Sequence, residues 1–507
     1  MAMDPAVEAV QYQSPVQAFS QTQNATPNTP SSAYNSMAAT WQMIADIRAG
    51  ADAIRHGKEK YLPKFEAEDQ IDYARRCKSA PWRPEFNDAL AALIAKPFTQ
   101  EISIKGAEDA EMKAFIEDVD TRGNNLTMFA KDTLENGIAA GLHAIFVENT
   151  VNVGLRTVAE EKAAGVRPYF IHVKAIDLIA VYIARVSGKM AVVHARIRES
   201  VVDIDGFGEK RIHQVRVLTP GKWEVYRPNE KGDWLLFDEG VTSLPYVPLV
   251  LYFTGERHGD HMVKPPLKDL ADLQIELYRA LSREDEVLNF SGFPMLSGNG
   301  FARPKESIKV GPRAILYAPA GDVATSWSFV QPNAAVLALV SEKCKSIATD
   351  MARLGMQPIV AKAGLATATA TSIDAAKAHS VLQSWVMGLS DALEQAFTMV
   401  GDYRGQNGSL VEVDISTDFS ALPFVPAPLL TLQTARDARD ISQRTYWEGL
   451  RRFDVLPPGF DMDAEAKALA SETQDLVPEV SIDPLTGKPV PPAPNPPPAP
   501  AVRPQVN

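Results

Sequence analysis

Apolar residues fall at helical spacing along 265–291 and again along 333–357, and the period changes between them. Behind Pro265 and Pro266, Leu270, Leu273, Leu277, Leu281 and Leu288 share one face, while Asp269, Asp272, Glu276, Arg279 and Arg283 take the other. Asp269 and Asp272 lie in the first turns, where the helix dipole favours negative charge. The pattern stops at Ser291-Gly292. From Phe293 to Phe329 short apolar runs are cut by Gly298-Asn299-Gly300, Gly311-Pro312 and Pro319-Ala320-Gly321, which is strand and turn chemistry. A second helix follows Pro332, with Leu337, Val340, Cys344, Ile347, Met351 and Leu354 on its apolar face. From Val340 its steps alternate four and three, the seam of a helix lying alongside others. The plainest reading is a helical hairpin with a β insertion inside one globular core.

The rest of the chain mixes both periods. Residues 1–38 are Gln, Ser, Thr, Asn and Pro with few aliphatics, which predicts a disordered arm, with order beginning at Trp41. Trp41, Ile44, Ile47 and Ile54 predict one helix, stopped by Tyr61-Leu62-Pro63. Further helices are expected over 73–78, 83–95, 111–118 and 126–137, and strands over 101–105 and 143–149. A β-rich part follows, with strands expected at 168–173, 178–185, 191–199, 211–218, 223–226 and 245–253. Asp205-Gly206 is a dipeptide favoured in tight hairpin turns. Downstream, 372–403 reads as a long helix with Ser372 as N-cap and Asp374 in its first turn. A strand at 410–415 and helices at 436–453 and 463–472 complete the folded part. Residues 478–507 are rich in proline and read as extended and disordered.

Composition narrows the function. The chain has 507 residues, enough for about three domains. A net charge of -12 leaves no global basic footprint for tight nucleic-acid binding. Cys77 and Cys344 lie far apart without metal-ligand spacing, as expected of buried thiols in a reducing compartment. No apolar run approaches the length needed to cross a bilayer, and the N-terminus lacks a signal pattern, so no membrane partner is expected. There is no GxxxxGK followed by Ser or Thr, no HExxH and no GxSxG. No catalytic residue and no cofactor are expected. The best metal candidate is His258-Gly259-Asp260-His261, whose imidazoles and carboxylate could ligate zinc, against a solvated loop as the plainer reading. Arg436, Arg439, Arg444, Arg451 and Arg452 are interleaved with Asp437, Asp440 and Glu448, the pattern of a solvated helix face. The most unusual feature is 358–372. Its small uncharged residues, Gly364 and the run of Ala and Thr from Ala366 to Thr371, have only Lys362 beside them. Long loops without structure of their own lean functional.

Several of these segments, in this order, resemble the portal proteins of tailed bacteriophages, in particular a subgroup long filed as a domain of unknown function. Trp41 through Tyr61-Leu62-Pro63 resembles that subgroup's opening. FIEDVDTRGNNLTMFAKDTLENGIAAGLHAIFVEN, 115–149, resembles its helix, break and glycine-led strand. Pro265-Pro266-Leu267 to Phe293-Pro294 resembles its first stem helix running into the clip, and Ala366-Thr367-Ala368-Thr369-Ala370 its alanine–threonine loop. The likeness covers 41–472. Relatives often carry an acidic residue where Ala366 stands, a departure that weakens any transfer of loop chemistry.

The resemblance implies an α+β portal-type fold: arm 1–40, mixed α/β wing 41–254, stem helices 265–291 and 333–357, β-rich clip 292–332, tunnel loop 358–372, long helix 372–403, returning wing strand 404–415, helical crown 416–475 and tail 476–507. It implies a homo-oligomeric ring, usually of twelve subunits, at one capsid vertex, assembled in the host cytoplasm and kept in the virion. Double-stranded DNA would pass through its channel during packaging and ejection. The terminase packaging motor, a tail adaptor, and capsid and scaffold proteins would be its partners. In that frame Lys362, Gly364, Thr367 and Thr369 are expected at the DNA channel, with Lys343 and Lys345 as weaker candidates, and Arg303, Lys305, Lys309 and Arg313 are expected to dock partners. The stretch from Pro265 to Gln357 holds ten basic and ten acidic residues, the neutrality that suits a conduit which must not grip phosphate. Two other readings stay open: a soluble metal-dependent hydrolase using His258, Asp260 and His261, and a non-portal structural protein of the virion.

Overall fold

The computed structural model describes residues 25–149, 165–186, 188–292, 295–299, 326–330, 334–356, 368–405, 411–417, 419, 426–452, 455–456 and 460–475. The fold is α+β and forms two compact units, Met1–Phe419 and Ser420–Asn507. Helix α1 (Ser32–Ala49) starts where the Ser31 hydroxyl accepts from the Tyr34 amide. Tyr34 is buried and its own hydroxyl donates to the Ile176 carbonyl. The arm expected over 1–40 is therefore wrong from Ser32 onward: one aromatic ring and one cap order a polar run. Gly50, at φ 91°, then ends α1 and starts α2 (Ala51–His56), so the single helix expected from Trp41 to Tyr61 is two. Helices α3 (Gln70–Ser79), α5 (Ala110–Glu117) and α6 (Leu126–Ala140) are capped by Asp69, Asp109 and Asn125, whose side chains accept first-turn amides.

Two antiparallel sheets follow. Strand β2 (Leu142–Asn149) lies between β3 (Pro168–Lys174) and β9 (Leu249–Phe253). Alternate β2 residues serve different cores. Ile145 and Val147 join the helical core, and Leu142, Ala144 and Phe146 join the core between the sheets. The second sheet is a meander of β4 (Leu178–Val186), β5 (Lys189–Asp205), β6 (Gly208–Thr219), β7 (Lys222–Pro228) and β8 (Trp234–Val241). Pairing of Asp205 with Gly208 and a Gly206 φ of 61° place a two-residue turn at Gly206-Phe207, one residue beyond the expected dipeptide. Strand β5 runs six residues past its expected end, and β8 was not expected at all.

Short β1 (Ser103–Lys105) pairs antiparallel with β14 (Glu412–Asp414), returning the chain after its longest helix to the body. Between β9 and that return lie the short antiparallel pair of β10 (Glu256–Arg257) and β11 (Val263–Lys264), α7 (Lys268–Gly292), the pairing of β12 (Met295–Asn299) with β13 (Ser326–Val330), α8 (Ala334–Met356) and α9 (Ala368–Tyr403). Rings of Phe115, Phe129, Phe170 and Phe397 meet edge-on or tilted where α5, α6, β3 and α9 converge. In the second unit α10 (Pro426–Asp437) and α11 (Gln443–Arg452) replace the single helix expected at 436–453, because Arg439 turns the chain at φ 63°. Helix α12 (Met462–Asp475) follows. Among the described residues no helix is long and apolar enough to cross a membrane.

Tyr252 clamps α6, β9 and α9. Its hydroxyl donates to the Trp385 carbonyl at 2.8 Å, and a Cβ on Gly137 would lie 2.5 Å from its ring. Because the ring cannot swing away, Gly137→Ala is expected to destabilise the fold by about 1–3 kcal/mol; an unchanged urea midpoint would contradict this clamp.

Four histidines are held neutral. His143 lies wholly inside, its Nε2 3.0 Å from His172 Nδ1, and Phe129 stacks on His172 at 3.8 Å. Burial lowers the pKa of His172, His194 and His261 to about 4, and that of His143 well below its ordinary value. Between pH 6.5 and 4 the unfolded chain binds protons at these sites and the folded chain does not. Stability should fall with pH through that window by up to about 1.4 kcal/mol per unit for each histidine. Thermal melts from pH 7 to 5 check this, and a flat profile would overturn it.

Candidate functional site

The features that no single globular core explains are concentrated on α7 and α8. The first half of α7 is embedded: Leu270, Ala271, Gln274, Ile275, Leu277, Tyr278, Leu281 and Ser282 are buried. That face is wider than the leucine stripe in the sequence. Gln274 explains the width. Its Oε1 accepts the Phe86 amide at 3.0 Å and its Nε2 donates to the Arg83 carbonyl at 2.8 Å. Helix α4 (Glu85–Ala95) follows Pro84, which offers no capping side chain, so α7 supplies the cap. Arg279 Nε donates to the Tyr61 carbonyl and Tyr278 meets Trp82 edge-on, tying the next turn to the body.

Helix α8 returns antiparallel, with Leu270 beside Gly355 and Glu284 beside Cys344. A Cβ at Gly355 would lie 2.6 Å from Ala89 Cβ, so glycine lets α4, α7 and α8 meet there. Burial first, then Glu284, pushes the Cys344 thiol up to about 11. Away from the body both helices emerge. Arg283, Leu288 and Leu339 are exposed, and β12 and β13 pair at the far end. Along this half runs a groove of about 760 Å³ lined by Glu276, Arg279, Ala280, Arg283, Leu339, Val340, Glu342, Lys343 and Ser346. Its apolar floor is open; Leu339 is 66% exposed.

Three of the six cations described on the pair meet carboxylates within it. Lys343 Nζ lies 3.0 Å from Glu276, Lys268 pairs with Asp272 and Arg353 with Asp350. Lys343, expected to meet DNA, is thus paired with a carboxylate of its own subunit. Lys345 is exposed two positions on, about 200° around the helix. Among the described residues neither Lys345 nor Arg283 has a carboxylate within 4 Å.

The other expected site residues divide as follows. Lys362, Gly364 and Thr367 lie outside the described residues, as do Arg303, Lys305, Lys309 and Arg313. Thr369 lies in α9, which begins at Ala368, so the loop expected over 358–372 is helix for its last five residues and Ser372 is not its N-cap. Alanine and threonine without glycine allow the helix to start early. The proposed metal cluster does not assemble: His258 and Asp260 are exposed, while His261 is buried against Tyr34 and Trp41. Among the described residues no three His, Cys, Asp or Glu side chains are grouped to hold a metal ion. The hydrolase reading loses its site. Sequence reading missed Gln274 and Gly355. The one signal for Gln274 was its place between Ala271 and Tyr278 on the buried side of the helix.

The class this defines is an α+β protein with a projecting antiparallel helix pair tipped by a β hairpin. The same stretch matches a family model: residues 266–404, just over a quarter of the chain, match the domain of unknown function DUF4055. No curated protein matches the chain significantly. Among solved structures it is similar to a chain in the neck of an empty gene transfer agent particle computed with C6 symmetry, at 11% identity and TM-score 0.41, covering 74% of this chain and 91% of that one. It is also similar to a chain of the native gene transfer agent virion, at 12% identity and TM-score 0.37, covering 82% and 98%.

Gln274→Leu removes both of its hydrogen bonds and leaves the buried Phe86 amide without a partner. It should cost about 2–4 kcal/mol, seen as a lower urea midpoint at unchanged slope. A shift under about 0.5 kcal/mol would mean that α4 does not depend on this cap.

Proposed function

We propose that the chain is a phage portal protein, one subunit of a closed ring at a capsid vertex through which double-stranded DNA enters and leaves. The observation that carries this reading is the stem groove: a projecting, antiparallel helix pair with an apolar floor that one subunit leaves open. A second copy placed head to tail would fill it, and head-to-tail contacts whose rotation closes make rings. The order of segments that resembles portal proteins, and the family match over 266–404, support the same reading. Helices α7 and α8 are then the stem, the hairpin of β12 and β13 is the base of the clip, and the α/β body over 41–254 is the wing.

The stem's internal ion pairs suit a conduit. Every cation left free to hold a phosphate releases counterions and deepens binding, so a channel through which DNA must slide needs few. In this reading Lys345 and the loop cation Lys362 brush passing DNA without a collective grip. The basic clip residues Arg303, Lys305, Lys309 and Arg313 receive the packaging motor and the tail adaptor.

The test is native mass together with negative-stain microscopy, without nucleotide or metal. The purified chain should form a ring with a central hole. Leu339→Glu should leave the circular dichroism spectrum unchanged and shift the mass toward monomer, because it places a charge on the groove floor. Monomer alone, across concentrations and salt, would sink the portal reading.

A further inference from the structure

A cleft of about 510 Å³ opens between the three-stranded sheet and the meander, and none of its lining residues comes from α7 or α8. Phe146, Glu148 and Asn149 of β2 line one side; Trp223 of β7 and Asp238 and Glu239 of β8 line the other. Trp223 lies across β8 because residue 240 is glycine: a Cβ there would fall 2.6 Å from the indole ring.

The cleft already shows how it holds a guanidinium. Arg216 Cζ lies 5.7 Å from the centre of the Phe146 ring and 5.8 Å from that of Trp223, and the group is paired with Glu148 and Glu199. Lys222 is the second cation, 2.7 Å from Glu224 and 2.7 Å from Glu239. Glu148, Glu199, Glu224, Asp238 and Glu239 therefore stand around only Arg216 and Lys222. Among the described residues Asp238 has no cation within 4 Å. Asn149 adds an acceptor, since its carboxamide oxygen is buried and receives no hydrogen bond. Carboxylates in excess repel phosphates and other anions. Aromatic faces, an unpaired carboxylate and an unused acceptor match a ligand that brings positive charge and N–H donors together. A guanidinium does so in a flat, weakly hydrated group, whereas an ammonium is a compact and strongly hydrated one.

We propose that this cleft binds a second guanidinium group. It is held as Arg216 is, by aromatic faces and carboxylates, with Asp238 as its counter-charge and Asn149 Oδ1 accepting one N–H. A free guanidino compound and an arginine side chain of another protein carry the same group, and the experiment separates them. The cleft lies within one subunit, so its test stands or falls apart from the ring.

The test is isothermal titration of the full chain with agmatine at low salt. Saturable binding is expected, with a dissociation constant of about 1 mM or tighter. Asp238 is exposed on the outer strand, so Asp238→Lys should keep the urea midpoint and weaken binding about tenfold or more. Glu108→Lys makes the same change of net charge at an exposed position outside the cleft and should leave binding as it is. Acetyl-Gly-Arg-Gly-amide then replaces agmatine. Tighter binding of the peptide assigns the cleft to an arginine of a protein, and weaker binding assigns it to a free guanidino compound. Heat that does not saturate, or binding that Asp238→Lys leaves unchanged, overturns the site. Equal binding of n-butylamine overturns the preference for a guanidinium.

Discussion

The geometry of the projecting helices depends on one buried amide. Gln274 is reached by no solvent and makes its hydrogen bonds to Phe86 in the first turn of α4 and to Arg83 just before it. A helix can rotate about its axis at little cost where its contacts are apolar and alike, since one leucine packs much as its neighbour does. A carboxamide that must both accept an amide and donate to a carbonyl allows one rotation. With α7 fixed in that way, Ala280 and Glu276 face α8, and everything beyond Leu281 leaves the body at a set angle. The close approach at Gly355 fixes α8 against the same two helices. The groove, the side on which Lys345 lies and the position of the β hairpin all follow.

That rigidity has an electrostatic counterpart. The chain is acidic overall, and three of the six cations described on the helix pair are met by carboxylates of that pair, Lys343 by Glu276, Lys268 by Asp272 and Arg353 by Asp350. Exposed pairs of this kind add little stability. What they change is the field outside the helices, where positive and negative charge cancel over a few ångströms. Buried charge in the body is organised differently: Arg216 is shared between Glu148 and Glu199, and Arg76 is held by Glu68 across two aromatic rings. Those groups lock packing, while the stem pairs lie in water.

Much of the fold was legible because its segments have clean periods. The alternation of β2 to β7 and the leucines of α7 gave element types and an α+β class. What failed did so for physical reasons. Strand β8, Trp234 to Val241, is an outer strand whose residues are mostly exposed, so no inward and outward alternation marks it. The far part of β5 carries Asp203 and Asp205, which read as turn chemistry until the register with Lys210 and Gly208 is seen. Helix α1 begins in a low-complexity run, where a serine cap and a single tyrosine outweigh composition. The break at Arg439 has neither glycine nor proline to announce it. In the site, Leu339 and Val340 could be placed on a helix from sequence, but their exposure could not, because it depends on where α7 leaves the core. His258, Asp260 and His261 were neighbours in sequence only; the loop turns His261 inward and leaves the others in water.

The stem groove is apolar and open, and among the described residues nothing of the same copy covers its floor, where Leu339 is 66% exposed. Its place follows from the way Gln274 fixes α7 and Gly355 fixes α8. In the portal reading proposed above, a neighbouring copy would cover that floor head to tail. Closing a row of such copies would cover the last open groove with no further loss of translational freedom, which would favour the closed form over the open row by one contact.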